Sequence, residues 1–380
     1  MDFALDDTAV AVRDAAAEVF ARHQPDWETK FGQRGLGTGS PGAFDDVLWR
    51  SITDSGLMAL PLPADLDGDD VAVVDLLPLL RRMGESAAVT PALGTLASAL
   101  TLRDAPADAR AKLGRGLGAG AWHAVALGEQ GDTLTLTPHT TVRGGTLTGT
   151  KTGVLHAEGS AALVVTTDGG VVIVATDTPG ISIVRTPSSS GWGEYTVRFD
   201  GVAVDESDFL STDAATLRDR YRLVLSAYAD GLVAGATRLT ADHVTGREQF
   251  GKPIALFQAV GQQLADIYVI GRSMNLATTA AAWRMTEGLD ATQDLGIAGY
   301  WLAAEIPATL RTMTHLHGGI GVDVTYPLHR YFSIAKDLAR LIGGTDARLD
   351  EIADDSDARQ GRAQRRETSI DPKAQATDVH

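Results

Sequence analysis

The sequence predicts an α+β chain in three parts. These are an N-terminal helical domain over residues 1–117, a middle antiparallel β-barrel or sandwich over 118–212, and a C-terminal four-helix bundle over 213–355. Three observations carry that reading. Apolar residues recur at helical spacing to about residue 115, the period falls to two between about 122 and 210, and helical spacing then returns over four long stretches. Residues 356–380 are polar, charged and rich in Gln and Arg, and are expected to form a disordered tail.

In the first part, Val10, Val12, Ala16, Val19 and Phe20 lie on one helical face, and Val74, Leu76, Leu77, Leu80 and Met83 on another. Breaks rich in Gly and Pro at Gly32 to Pro41 and Pro61 to Gly68 separate these helices. In the second part, Thr133 to Thr137 alternates and predicts a strand. Leu147 to Thr150 predicts another after a Gly144-Gly145 turn. Asp168-Gly169-Gly170 between Leu163-Val164-Val165 and Val171 to Val174 is a hairpin signal, and Tyr195 to Phe199 alternates before an expected turn at Asp200-Gly201. Several short strands at close spacing favour a barrel or sandwich.

In the third part, Leu223, Val224, Ala227, Tyr228, Gly231 and Ala234 mark the first helix, and Leu264 to Trp283 the second. Leu302, Ile306, Leu310, Met313 and Leu316 mark the third, and Leu338, Leu341 and Leu349 the fourth. Small residues such as Ala277 and Ala280 to Ala282 let such helices approach closely.

Composition narrows the function. The 380 residues carry 33 basic and 49 acidic side chains, a net charge of −16, which leaves no basic stripe for a duplex nucleic acid. With no cysteine, disulfides, thiolate chemistry and cysteine metal sites are excluded. The first residues lack a basic region followed by an apolar run, and no uncharged apolar stretch approaches the roughly 20 residues that cross a bilayer. A cytoplasmic protein without membrane association is expected.

The chain is organised around Arg247 to Leu264. Gly251 and Pro253 end one long helix, and another restarts at about Leu256, so Arg247 projects from a loop held between two helices. A guanidinium in that position suits a phosphate without naming the ligand.

Arg247-Glu248-Gln249-Phe250-Gly251, then Phe257-Gln258, then His317-Gly318-Gly319-Ile320-Gly321 resemble the C-terminal domain of acyl-CoA dehydrogenases. Gly344-Thr345, after the amphipathic stretch Tyr331 to Leu341, does so too. The resemblance covers nearly the whole chain to about residue 355 and implies that family's fold. In the family the arginine and phenylalanine of the first motif reach across a dimer interface to FAD, and the glycine pair of the second lets backbone approach the cofactor. The resemblance therefore implies that Arg247, Gln249, Phe250, Gln258, Gly318 and Gly319 contact FAD, with His315 standing where the family usually has glutamine.

The departures from the family matter as much. Its members abstract an α-proton with a glutamate, which must reach Cα of the acyl group. At one family position for that base this chain has Gly343, and at the other Tyr221, whose phenol is a poor base at neutral pH. The first segment that holds the isoalloxazine ring in the family corresponds to Leu127-Gly128-Glu129-Gln130-Gly131-Asp132, shorter and without the family's hydroxyl donors, and the second, where the family carries Trp or Phe and Thr, reads Lys151 to His156. The resemblance thus implies a non-catalytic subunit, similar to those of actinobacterial α2β2 acyl-CoA dehydrogenases of steroid side chains. A homologous partner would supply the glutamate, the flavin pocket and most of the acyl-CoA site, with an electron-transfer flavoprotein as acceptor.

Other readings compete with this one. His315 and His317 with Asp323 suggest a metal, but an i,i+2 pair lies on different helix faces, so no metal is expected. Ser188-Ser189-Ser190-Gly191 reads as a polar loop rather than a nucleophile, and Glu129, Asp132 and Glu158 as exposed loop charges. Asp230 and Glu305 are the candidates for a relocated base. The rival functions are a scaffold or CoA-thioester binding homologue without flavin, and a homo-oligomeric flavoenzyme with its base elsewhere.

Overall fold

The structure is a computed structural model that describes residues 4–23, 44–114 and 116–368, with side chains for all of these except 112, 113 and 358–368. The break expected at Gly32 to Pro41 lies outside the described residues. Helix α1 (Asp7–Arg22) starts where the Asp6 carboxylate accepts from the Ala9 amide at 2.8 Å, and it buries Val12, Ala16, Val19 and Phe20. Helices α2 (Asp46–Asp54), α3 (Leu77–Glu85), α4 (Ala92–Leu102) and α5 (Ala107–Leu113) follow, and turns with one 3-10 segment fill the break at Pro61 to Gly68. Every residue of α4 is buried, so it lies inside the molecule rather than on a face.

The middle of the chain forms two four-stranded sheets. The strands are β1 (His123–Ala126), β2 (Thr141–Arg143), β3 (Thr146–Leu155), β4 (Ala162–Thr167), β5 (Gly170–Ala175), β6 (Ile181–Thr186), β7 (Glu194–Ala203) and β8 (Phe209–Leu210). One sheet has the order β1-β4-β5-β8 and the other β2-β3-β7-β6. Their inner faces share a core that includes Leu163, Val165 and Val172 from one sheet and Leu147, Val197 and Phe199 from the other. The Gly144-Gly145 and Asp168-Gly169-Gly170 turns form as the sequence predicts, joining β2 to β3 and β4 to β5.

Three local expectations in this region are corrected. Thr133 to Thr137 is not a strand, because Asp132 accepts from the Leu134 amide and the Thr135 hydroxyl from the Thr137 amide. Short polar side chains have captured the backbone there. Asp200-Gly201 is not a turn either; β7 runs through it, with a register shift opposite Thr148 and Gly201 at φ 72°. The pairing is also not wholly antiparallel, since β1 runs parallel to β4.

The third part begins with α6 (Ala214–Gly246), a 33-residue helix capped by Asp213. A two-residue ladder, β9 (Glu248–Gln249) with β10 (Lys252–Pro253), leads into α7 (Gln258–Thr286). Then come α8 (Thr292–Tyr300), a π-turn over Trp301–Glu305, α9 (Ile306–His317), α10 (Leu328–Leu341) and α11 (Gly344–Thr368). The π-turn ends two residues before Pro307, which has no N–H to continue the ordinary ladder. Helix α3 packs on α6 with backbones in close approach. A Cβ at Gly84 would collide with the Tyr228 carbonyl, and one at Gly231 with the Arg81 carbonyl. The expected fourth helix is two helices, because Gly343 and Gly344 at φ 94° and 76° turn the chain between Leu341 and Thr345. Residues 356–368, expected as tail, continue α11, where Ala, Arg, Gln and Glu are good helix formers.

Candidate functional site

The two motifs that resemble cofactor contacts meet at one edge of the helical part. Arg247 caps α6, its amide donating to the His243 carbonyl at 3.0 Å and its carbonyl accepting from Ile254 at 2.8 Å. The peptide is therefore pinned while the exposed guanidinium has no ion pair or hydrogen bond among the described residues. At the tip of the ladder Phe250 (φ 53°) and Gly251 (φ 78°) reverse the chain. The Phe250 ring is 93% exposed and meets only the edge of Phe257, at 6.2 Å. A large apolar ring held outward by a left-handed backbone is a feature that folding of this chain alone does not reward.

Gln249 is exposed with its amide turned onto the Glu248 carbonyl at 2.7 Å, and Gln258 is exposed at the first position of α7. Helix α9 ends at Gly318, φ 64°, and neither Gly318 nor Gly319 has an atom within 4 Å of where a Cβ would sit. That edge is open to an incoming group. His315, one turn back, is exposed.

What joins the two motifs is a pair of rings that sequence reading missed. His317 stacks on His243, centroids 4.4 Å apart, and His317 Nδ1 bonds the Met313 carbonyl at 2.9 Å. Burial lowers both imidazoles below the ordinary histidine range, the charges of His317 and Arg247 lower His243 further, and the hydrogen bond to Met313 partly opposes the fall at His317. Neutral stacked rings thus hold the end of α6, which carries Arg247, against the end of α9, which carries Gly318. Nothing in a sequence separation of 74 residues signals such a contact.

Neither Tyr221 nor Gly343, the positions that the resemblance assigns to the base, supplies a carboxylate. Tyr221 is buried, and burial followed by the nearby Glu194 charge pushes its phenol above its usual value. At Gly343 a Cβ would lie 3.4 Å from both Thr133 Oγ1 and Arg348 Nη2. Glu194, which sequence reading did not single out, is a buried carboxylate near Tyr221. It is ion-paired to Arg340, and burial raises it while Arg340 opposes the rise. Asp337 of α10 clamps the adjacent loop by accepting from the Ser189 and Ser190 amides, both at 2.8 Å. The serines thus serve a structural loop, as predicted.

Gly153, at φ 67°, has the tip of the Leu341 side chain (Cδ2) 3.0 Å from its Cβ position, so Leu341 packs over the second segment expected to border a flavin. Leu341 and Ile342 are themselves buried. Glu129 corrects an expectation, for it is buried rather than an exposed loop charge. It accepts from the Lys151 ammonium at 2.8 Å, the His139 amide at 2.8 Å and the Thr140 amide at 3.0 Å. Burial alone would raise this carboxyl, but those donors together hold it at about 2. Lys151 is fully buried, its Nζ also bonded to Leu127 O and Thr166 Oγ1. The two segments expected to border a flavin are thus tied to each other. Asp132 and Glu158 are exposed, and Glu158 accepts from the Tyr195 hydroxyl at 3.0 Å.

The relocated-base candidates are engaged elsewhere. Asp230 is buried in an ion pair with Arg81 and accepts from Asn275 at 3.0 Å, while Glu305 is half-buried with the Tyr300 hydroxyl at 3.5 Å. Among the described residues no group of three His, Cys, Asp or Glu could hold a metal, and no helix is long and apolar enough to cross a membrane.

Comparison with known proteins shows the family to which the chain is related. Residues 214–355 match the family model of the acyl-CoA dehydrogenase C-terminal domain. The chain is 45% identical to acyl-CoA dehydrogenase FadE28 of Mycobacterium tuberculosis, over 80% of this chain and 91% of that protein. It is 33% identical to FadE27 of the same organism, over 81% and 87%. Among solved structures, a chain of the ChsE4-ChsE5 complex from Mycobacterium tuberculosis superposes with a TM-score of 0.82 at 30% identity, covering 93% of this chain and 98% of that one. A variant of the Tcur3481-Tcur3483 steroid ACAD superposes at 0.81 with 29% identity, over 91% and 96%.

Proposed function

This chain belongs to the acyl-CoA dehydrogenase family, and from that membership we propose that it is the non-catalytic subunit of a heteromeric, FAD-dependent member. One asymmetry carries the reading. The outward edge formed by Arg247, Phe250 and Gly318-Gly319 is open and uncommitted, whereas Tyr221 and Gly343 offer no carboxylate and the nearby Glu194 is ion-paired to Arg340. The residues present fit the adenylate half of FAD and do not fit its isoalloxazine half.

In this reading Arg247 binds the pyrophosphate through its guanidinium fork, and Phe250 packs near the adenylate end. Gln249, Gln258 and His315 offer polar contacts along the same edge, and Gly318-Gly319 admits the cofactor against bare backbone. FAD supplies hydride acceptance in this family. A homologous partner supplies the glutamate base, the isoalloxazine pocket and most of the acyl-CoA site, in an α2β2 assembly. The apolar residues Tyr268 and Val269 of α7, 68% and 57% exposed, offer that partner a surface. The complexes among the structural relatives, one described as a steroid ACAD, support both a mixed assembly and a steroid side-chain CoA thioester as substrate. Electron-transfer flavoprotein is the acceptor and the cytoplasm the compartment in this account.

The test is α,β-desaturation of a steroid side-chain CoA thioester by this chain co-expressed with a homologous partner. Turnover by the pair, absent from either chain alone and unchanged by Glu194→Gln, is the expected result. Turnover by this chain alone that Glu194→Gln abolishes would instead identify a homo-oligomeric flavoenzyme. A pair in which Arg247→Ala leaves flavin content untouched would favour a scaffold or CoA-thioester binder.

A further inference from the structure

Helices α1, α3, α6 and α7 enclose a cavity of about 660 Å³, in the range of small-molecule sites. None of the residues assigned to the cofactor edge lines it. Its polar floor is Asp230, 5% exposed on α6, whose Oδ2 takes the bonds from both Arg81 and Asn275. Beside it Thr278 is 2% exposed, and its hydroxyl has no hydrogen-bond partner. A buried hydroxyl without a partner costs about 1–3 kcal/mol, which a ligand's hydrogen bond would offset. The Trp283 indole and Ala227 add apolar wall.

The charges around the cavity are unbalanced. Its three arginines are engaged by carboxylates: Arg13 by Asp14 at 2.9 Å, Arg81 by Asp230, and Arg82 by Glu85 at 3.2 Å. Asp6, Asp75 and Glu287 also line it, and none of them has an ion pair among the described residues. Burial raises the Asp75 carboxyl, and the charge of Asp6 adds to the rise, as expected of carboxylates that face each other without a cation.

We propose that this cavity is a binding site for an organic cation, a molecule with a compact apolar body and one ammonium group. The body packs against Trp283 and Ala227, and the ammonium lies among Asp6, Asp75 and Glu287 within reach of the Thr278 hydroxyl. An indole face adds cation–π attraction for such a group. The acidic surplus disfavours acyl-CoA here, so the site is separate from the dehydrogenation chemistry.

The test uses the full-length chain in the assembly in which it purifies, titrated calorimetrically with 1-aminoadamantane, 1-adamantanol and adamantane-1-carboxylate. These three probes share one apolar body and differ in charge. The amine is expected to bind at least tenfold tighter than the alcohol, with the carboxylate weakest. Asp75→Asn should weaken the amine about tenfold and leave the alcohol unchanged. Ala17→Trp, at an exposed position on the cavity rim, should abolish binding of both while thermal stability is retained. Equal affinities for the three probes, no binding of the amine, or amine binding indifferent to both variants would overturn the proposal.

Discussion

Arg247 combines a pinned backbone with an uncommitted side chain, so its removal separates binding from folding. Arg247→Ala should leave the circular dichroism spectrum and unfolding midpoint unchanged. It should weaken FAD retention by the mixed assembly about tenfold or more, the loss expected of a charged hydrogen-bonding group at about 1.5–3 kcal/mol. Flavin fluorescence released on dialysis measures it. Lys151 presents the opposite case, a fully buried cation whose partner is the 8%-exposed Glu129 side chain. Lys151→Met leaves a buried carboxylate without its cation and should cost about 3–5 kcal/mol in urea unfolding, with partial recovery in the double variant Lys151→Met, Glu129→Gln. The pH dependence has a definite sign. Because the folded Glu129 carboxyl sits at about 2, below its unfolded value of 4.5, its contribution is fully present above 4.5 and is lost as pH falls towards 2. Urea midpoints measured down that window should fall less steeply in the double variant. At this scale the sequence was legible where a motif placed residues side by side, as with Arg247 and Phe250. It was silent where the fold did so: Lys151 lies 22 residues from Glu129, and His317 is 74 residues from His243.

Between α10 and α11 the chain turns at Gly343, the position that the resemblance assigns to the base. Restoring a carboxylate there should not restore an active site. Gly343→Glu forces φ 94° on an L residue, at about 1–2 kcal/mol, and brings a Cβ to 3.4 Å from Arg348. The variant should unfold earlier than the parent and show no acyl-CoA dehydrogenation in the absence of a partner, as followed by dye reduction. Activity in that variant alone would show that its flavin side is intact. Helix α7 makes the complementary point. Val269→Asp puts a charge on its exposed apolar face and should leave this chain folded while the mixed assembly dissociates in light scattering. The period of apolar residues disclosed the long helices, because burial on one face repeats along the chain. It did not disclose the helix break, which rests on two glycines, or the loss of the strand at Thr133 to Thr137, which rests on side chains capturing the backbone.

The chain has the α+β fold of its family, helices flanking a sandwich along the sequence, and the edge bearing Arg247, Phe250 and Gly318 is exposed. In the proposed account its flavin site is shared with a partner. In the proposed account that sharing was readable in the sequence as missing residues, with no carboxylate at Gly343 or Tyr221. The contact of Leu341 with Gly153 was not readable, because it arises where α10 meets β3. The most direct test is flavin stoichiometry with oligomeric mass, measured on this chain purified alone and again after co-expression with a homologous partner. The account predicts a colourless chain alone and a yellow α2β2 assembly with about one FAD per pair of unlike chains, since each complete site draws one half from each. One FAD per chain in the absence of any partner would contradict it.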